Sequence, residues 1–497
     1  MTARELSRRT FLQLAGAVTF AAALGDTARA GLPFVDLDRY DDGNRAIPGG
    51  LTADPERVIV IGAGFAGLAV ANALRNAGVS CVVIEGRERL GGRAHTVDVG
   101  NTPIDLGCSW ITDPVGNPMT RFATRSGVLQ TNATIELDVP TSRFYDARTG
   151  VVLLPQTAAA ASHAVRFEQE APGISRALGP LASTKDGILS YAAKHRMKGN
   201  ARRRGEFFMR LVTELPDATD WEIDSLAAWA GYSSPYYGFG QGDFPQGGYT
   251  RIITSLGAGT DVRFGLQVTD VGEEPGGVRV RTRNSAGHVE DFAGTHVVVT
   301  VPLGVLKSRA ISFAPQLPAG KLAAIDRLGF GVFEKVVMRF PEPYWAAEHT
   351  NIFHLSDPDP MRFPLIVDYF HLEGVPILAA FNVGRYGLEL GGLSGAEVQG
   401  RMLDVLRRVH GGPVPPPTDV AITRWSGDRF SRGSYSYIPV GSSAADQTAL
   451  AEPAGRILFA GEATSTSRYG YADGALTTGI REAKRLLRRS SVELTPG

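Results

Sequence analysis

The ten residues from Val58 to Gly67 carry the densest chemistry in the chain. Val58-Ile59-Val60-Ile61 is a run of β-branched residues, the signature of a buried strand. It leads into Gly62-Ala63-Gly64-Phe65-Ala66-Gly67, a G-x-G-x-x-G turn. The first glycine suits the tight turn, the second a close backbone approach to a pyrophosphate, the third a helix–strand contact. Leu68 to Ala77 then reads as a helix whose first N–H groups face phosphate oxygens. Eighteen residues past Gly67, Glu85 closes a second strand, Val82-Val83-Ile84, where a carboxylate accepts hydrogen bonds from a ribose. A glycine-rich turn alone is a weak signal. Strand, turn, helix, second strand and terminal acid in register indicate a dinucleotide site.

A second clamp follows in Gly86-Arg87-Glu88-Arg89-Leu90-Gly91-Gly92-Arg93. Paired glycines admit the cofactor to the backbone, and a guanidinium pairs with pyrophosphate oxygens in fork geometry. Here the chain resembles the flavin-containing amine oxidases, the group of monoamine oxidases, polyamine oxidases, L-amino acid oxidases and lysine-specific histone demethylases. The resemblance runs from about Arg57 to about Leu487. Further segments carry it in the family's order: Asp105-Leu106-Gly107-Cys108-Ser109-Trp110-Ile111, Gly247-Gly248-Tyr249 with Val268, and Val301-Pro302-Leu303-Gly304. Trp425-Ser426-Gly427-Asp428 with Gly433-Ser434-Tyr435-Ser436 comes next, then Leu458-Phe459-Ala460-Gly461-Glu462 and Tyr469-Gly470-Tyr471-Ala472-Asp473.

The resemblance implies FAD, with Glu85 on the adenosine ribose, Arg93 near the pyrophosphate, Val268 backbone reading adenine and Trp425 packed on the flavin. Gly107, Cys108, Ser109 and Trp110 would pass beside the ring, and Gly461, Glu462, Tyr471 and Ala472 would complete the flavin motif. No cysteine stands near Gly433-Ser434-Tyr435-Ser436, where some monoamine oxidases attach flavin covalently, so the FAD is expected to be non-covalent. Tyr435 and Tyr471 align with the family's aromatic pair that sandwiches the reacting amine. Lys335, in Phe333-Glu334-Lys335-Val336, aligns with the lysine that holds a water near flavin N5. The implied reaction is hydride transfer from the amine-bearing carbon to N5, giving an imine or aldehyde, with O2 reduced to H2O2.

The Trp425 and Tyr435 segments resemble most the polyamine oxidase and histone demethylase branch. Yet Thr112-Asp113 stands where polyamine oxidases often carry Glu-Gly or His-Gly. A cationic substrate needs acids along its tunnel, and Asp113, Glu222 and Asp224 are the candidates. An L-amino acid or aromatic monoamine oxidase, an amine dehydrogenase with another acceptor, and a non-catalytic flavin module remain as alternatives.

Composition agrees with a folded enzyme. The 497 residues are 43% hydrophobic and 21% charged, too long for one ordinary core. Equal numbers of basic and acidic residues give no nucleic-acid footprint. The basic runs Lys198 to Arg204 and Arg481 to Arg489 read as solvated helix faces. Ser7-Arg8-Arg9-Thr10-Phe11-Leu12, an apolar run to Leu24 and Ala28-Arg29-Ala30 read as a twin-arginine signal over residues 1–30, too weakly apolar for a stable membrane span. That reading predicts export through the twin-arginine machinery and a mature net charge of −2. Cys81 and Cys108 are not expected to pair, and the nine scattered histidines suggest no metal site.

The expected fold is α/β: a Rossmann-type, glutathione-reductase-like FAD domain interwoven with an α+β substrate domain. Residues 51–131, 249–333 and 421–490 are assigned to the first, 132–248 and 334–420 to the second. Helices are expected over Thr157 to Glu170, Gly205 to Leu215 and Ala396 to His410, and a strand over Val297 to Val299.

Overall fold

The computed structural model describes residues 56–136, 142–232, 241–345, 351–489 and 491–497. Its organising element is a five-stranded parallel sheet with Arg57–Ile61 at the centre. Ile59 pairs with Val82 of Ser80–Ile84 on one side and with Val297 of His296–Val299 on the other. Val262–Arg263 and Ile457–Phe459 form the edges. The central strand is buried on both faces, hence its unbroken β-branched run rather than an alternating one. Helices Phe65–Asn76 and Ala472–Leu487 pack together over one face, around Leu68, Ala69, Leu476 and Ala483. The glycine-rich turn and the Gly461 turn therefore open at the same end of the sheet, where open parallel sheets bind ligands.

A second, seven-stranded mixed sheet runs in the order 419–422, 333–339, 377–383, 365–368, 351–355, 143–146, 150–152. Phe333–Arg339 lies antiparallel to Ile377–Val383, with Lys335 opposite Phe381. Helices Leu154–Leu178 and Gly199–Asp217 cover this sheet through Phe144, Phe167, Phe207 and Phe208. A third helix, Gly395–His410, begins with a capping box between Ser394 and Glu397 and packs Val398, Met402, Leu406 and Val409 against the other face.

The expected helices are present and longer than the periodicity suggested. The basic runs are less solvated than expected. Arg203 and Arg204 converge on buried Asp146, while Arg481 and Arg485 converge on buried Glu482. A buried carboxylate demands compensation, which a surface reading of the run could not foresee. The stretch 1–30 lies outside the described residues.

Candidate active site

Backbone geometry builds the cofactor end. Gly62 has φ +106°, and a Cβ on Gly67 would lie 1.9 Å from the Gly62 carbonyl oxygen, so neither position accepts a side chain. Glu85 is buried, and its oxygens accept Ala63 N–H at 2.8 Å and Arg87 N–H at 2.9 Å. The carboxylate therefore ties the glycine turn to the next loop while still facing the cavity. Gly91 donates its N–H to Ala63 O at 2.8 Å, joining the two glycine clusters.

The two arginines of the second clamp are held from the far end of the chain. Arg87 pairs with Asp428 at 2.8 Å and donates to Ser431 Oγ at 2.9 Å. Arg93 pairs with Glu462 at 2.8 Å and donates to Ser434 O at 2.7 Å. Glu462 is buried and also accepts Ser436 Oγ–H at 2.5 Å and Gly470 N–H at 2.8 Å, so one carboxylate joins four sequence motifs.

Lys335 is buried on its strand. Its ammonium donates to Asp105 O at 3.0 Å, to Gly107 O at 2.6 Å and to Ser109 Oγ. The resemblance put a water on this ammonium; here its three donors end on protein acceptors and clamp the 105–109 segment. That segment runs tight against the second clamp, since a Cβ on Gly107 would lie 1.7 Å from Arg93 O. Burial pushes the Lys335 ammonium below its ordinary range, and the Asp105 carboxylate opposes part of that shift. Asp105 is itself pushed above the usual carboxylate range by burial.

Glu334 points the other way from the same strand. Its carboxylate accepts Thr423 Oγ–H at 2.6 Å, Trp425 N–H at 3.1 Å and Ser426 N–H at 3.1 Å. It fixes the loop that delivers Trp425, whose indole N–H approaches Leu106 O at 3.4 Å. Sequence reasoning passed over Glu334; the signal was an acid beside a lysine within an apolar strand, alternating between two buried faces.

Tyr435 donates its hydroxyl to Leu215 O at 2.9 Å and packs near Phe333, with ring centroids 6.2 Å apart. Phe333 continues to Phe381 at 5.2 Å and Phe381 to Trp110 at 5.9 Å, an aromatic row leading to the lysine. Tyr471 precedes the last helix; the Arg468 guanidinium stands 3.9 Å from its ring centroid. Burial holds both phenols well above their ordinary range, so they stay neutral.

One cavity of about 540 Å³ joins these pieces. It is lined by Gly62, Gly64, Phe65, Ala66, Glu85, Gly86, Arg87, Gly91, Gly92, Arg93, Gly107, Cys108, Ser109, Trp110 and Val268. Lys335, Trp425, Tyr435, Gly461, Glu462, Tyr471 and Ala472 line it as well. Ala63 and Gly67 do not: Ala63 turns inward to Glu85, and Gly67 is spent on the helix–turn contact. The far end is apolar, with Ala161, Val165, Leu211, Val212, Phe353 and Phe381. Glu168 stands in that wall.

None of the three acids expected along a tunnel lines the cavity. Asp113 is buried and paired with Arg468 at 2.9 Å. Glu222 lies toward the surface, bound to Arg385 at 2.5 Å. Asp224 is buried beside Asp217, outside the cavity. Sequence alone offered Glu168 no mark, because a helical acid near Glu170 reads as a solvated face.

A parallel sheet whose glycine turn opens onto a long cavity, with a lysine and two neutral tyrosines in the wall of that same cavity, defines a dinucleotide-dependent oxidoreductase site. The chain belongs to the family described as flavin containing amine oxidoreductase, whose pattern matches residues 65–487. Its cofactor is FAD. A lysine-specific histone demethylase 1 homolog 1 of Oryza sativa subsp. japonica is 33% identical over 459 residues, covering 87% of this chain and 52% of that protein. A homolog 2 from Arabidopsis thaliana is 33% identical over 86% of this chain and 58% of its own length. The chain thus spans little more than half of these relatives. Among solved structures, a wild-type putrescine oxidase bound to putrescine superposes with a TM-score of 0.70 at 21% identity, over 87% of this chain and 99% of that one, a likeness of fold.

The relatives correct one expectation. The expectation of export through a twin-arginine signal is overturned, because the relatives are proteins named for demethylating histones.

Proposed function

We propose that this protein is an FAD-dependent amine oxidase whose preferred substrate is a small amine carrying a second, distal cationic group. Within it, residues 51–131, 249–333 and 421–490 serve FAD, and 132–248 and 334–420 serve the amine. The observation that carries the reading is the continuity of one cavity from Glu85 to Lys335, Tyr435 and Tyr471. The residues fit FAD: the side-chain-free glycine turn, the Glu85 carboxylate, Arg93 and Trp425 all face that space. Bound there, FAD would supply the acceptor for the hydride equivalent of the amine-bearing carbon, with O2 as the terminal oxidant reduced to H2O2.

The rest is the work of the chain. An amine must be neutral to lose hydride, and two uncharged aromatic faces favour its ammonium form less than a carboxylate in the same place would. The apolar wall around Leu211 and Phe353 excludes water. The acid of the cavity wall is Glu168, which also has a partner within the protein; sharing it with a distal ammonium adds a charge-assisted contact of about 1.5–3 kcal/mol at most, or up to roughly a hundredfold in selectivity. Anaerobic flavin bleaching with a panel of amines tests this. Diamines and polyamines should bleach the flavin faster than benzylamine or any L-amino acid, and Glu168→Gln should erase that advantage.

The names of the curated relatives favour a second reading, an N-methylated lysine side chain as the amine. A methylated histone-tail peptide belongs in the same panel. If it bleaches the flavin fastest, it displaces the small-amine reading while leaving the FAD and Lys335 assignments standing.

A further inference from the structure

Behind the lysine lies a second cavity of about 250 Å³. Asp105 and Glu373 line it, and among the described residues no lysine, arginine or histidine does. Asp105 is buried and Glu373 exposed, so the acids mark a deep and a shallow end. The Asp105 carboxylate accepts Thr96 Oγ–H at 2.6 Å and Tyr249 N–H at 3.0 Å, both neutral donors. Lys335 reaches the Asp105 carbonyl oxygen instead, and its other donors end on Gly107 O and Ser109 Oγ. Arg251 stays outside and exposed, its guanidinium on Gln246 O at 3.1 Å. A buried carboxylate that meets only neutral donors is poorly compensated.

A tyrosine points to the same ligand chemistry. Tyr369 is 4% exposed and lines the cavity, and its hydroxyl has no hydrogen-bond partner among the described residues. A buried hydroxyl so placed is left for an occupant of the cavity to satisfy. Leu372, Pro103 and Pro245 add apolar wall beside these polar groups.

We propose that the second cavity is a binding site for a small alkylammonium ion. The ammonium donates its N–H groups to the two carboxylates and the Tyr369 oxygen, all of them able to accept. The alkyl part lies on Leu372 and the two prolines. The space is large enough for several waters, too roomy to close a shell of oxygens around a bare inorganic cation. Ser109 is the wall this site shares with the amine cavity. The inference stands on the second cavity alone and does not depend on what the first one oxidises.

The test is calorimetric titration of FAD-loaded protein with tert-butylammonium chloride, whose amine-bearing carbon has no hydrogen to give the flavin. Ammonium chloride and potassium chloride at equal ionic strength are the comparison arms. Saturable binding of tert-butylammonium, tighter than either comparison salt, is expected. Leu372→Trp, which fills the cavity, should weaken it by at least about tenfold. Glu373→Gln should weaken it about three- to fivefold, the smaller effect because that acid is exposed. Glu373→Gln changes a surface side chain, so it decides the matter even if the tryptophan variant does not fold. Binding no tighter than that of potassium overturns the proposal, and so does binding that both variants leave unchanged, which would place the ion elsewhere. If no amine reduces the flavin, the proposed function fails, while this titration still decides the second site.

Discussion

Arg468 covers one face of Tyr471 at 3.9 Å while its guanidinium is shared between Asp113, at 2.9 Å, and Asp473, at 2.6 Å. Arg468 is 1% exposed, which makes this a buried ion triad pressed against a tyrosine that lines the cavity. The orientation of Tyr471 therefore depends on charge balance several atoms behind it.

Arg468→Gln leaves two buried carboxylates without their cation, and its cost is expected to be about 3–5 kcal/mol of unfolding free energy. Arg468→Lys keeps the charge but loses the fork, so it should cost less and still raise the amine KM by misplacing Tyr471. Denaturant melts and steady-state kinetics check both. An Arg468→Gln protein as stable as the parent would remove the triad from the account.

The cofactor should leave the protein intact. Heat or acid should release free FAD into the supernatant, since no cysteine flanks the Tyr435 segment. Glu85→Gln keeps one acceptor but sets an amide N–H against the N–H of Ala63 or Arg87. It is expected to weaken FAD binding about tenfold, roughly 1.4 kcal/mol. Flavin that stays with the precipitated polypeptide would contradict the non-covalent assignment; an unchanged FAD Kd in Glu85→Gln would contradict the role of the acid.

Lys335→Met should retain FAD, because the pyrophosphate clamp is elsewhere, and should slow turnover or flavin reoxidation tenfold or more, about 1.4 kcal/mol of barrier. Burial brings the Lys335 ammonium down to about 8, so it loses its proton at lower pH than an exposed lysine. The parent rate should carry a limb near that pH, and the Met variant should lose it. Stopped-flow reoxidation between pH 6 and 10 is the measurement, and a limb that survives in Lys335→Met belongs to another group.

Asp217 and Asp224 provide a stability test outside the flavin site. Burial raises both carboxyls above their ordinary range, and the two share a hydrogen bond. The folded chain thus keeps a proton that the unfolded chain releases once pH exceeds the ordinary carboxylate range. The associated stability is complete below that range and is lost as pH climbs through the raised values. Asp224→Asn keeps a donor facing Asp217 and removes the titration. It should be more stable than the parent at pH 8, with the advantage shrinking toward pH 5. Thermal melts at the two pH values that show the same difference would reject the shared proton.

Local periodicity and steric necessity were legible in the residues themselves. The β-branched run at 58–61, the glycine turn and the acid at 85 specify a strand, a turn and a cavity-facing carboxylate within thirty residues, because each depends on neighbours close in the chain. Motif order extended that to the family and to FAD. What folding alone decided was which charges meet. Glu334 and Lys335 are adjacent in sequence, yet strand alternation sends one to the Trp425 loop and the other to the 105–109 segment. Asp113 looked available for a cationic substrate until Arg468, 355 positions away, neutralised it. Glu168 carries no mark in the sequence, and only the packing of its helix against the second sheet places it in the cavity wall. A side chain's type and spacing reveal its capacity for chemistry; its partner, and so its charge state and its use, follows from which distant segments share its buried space.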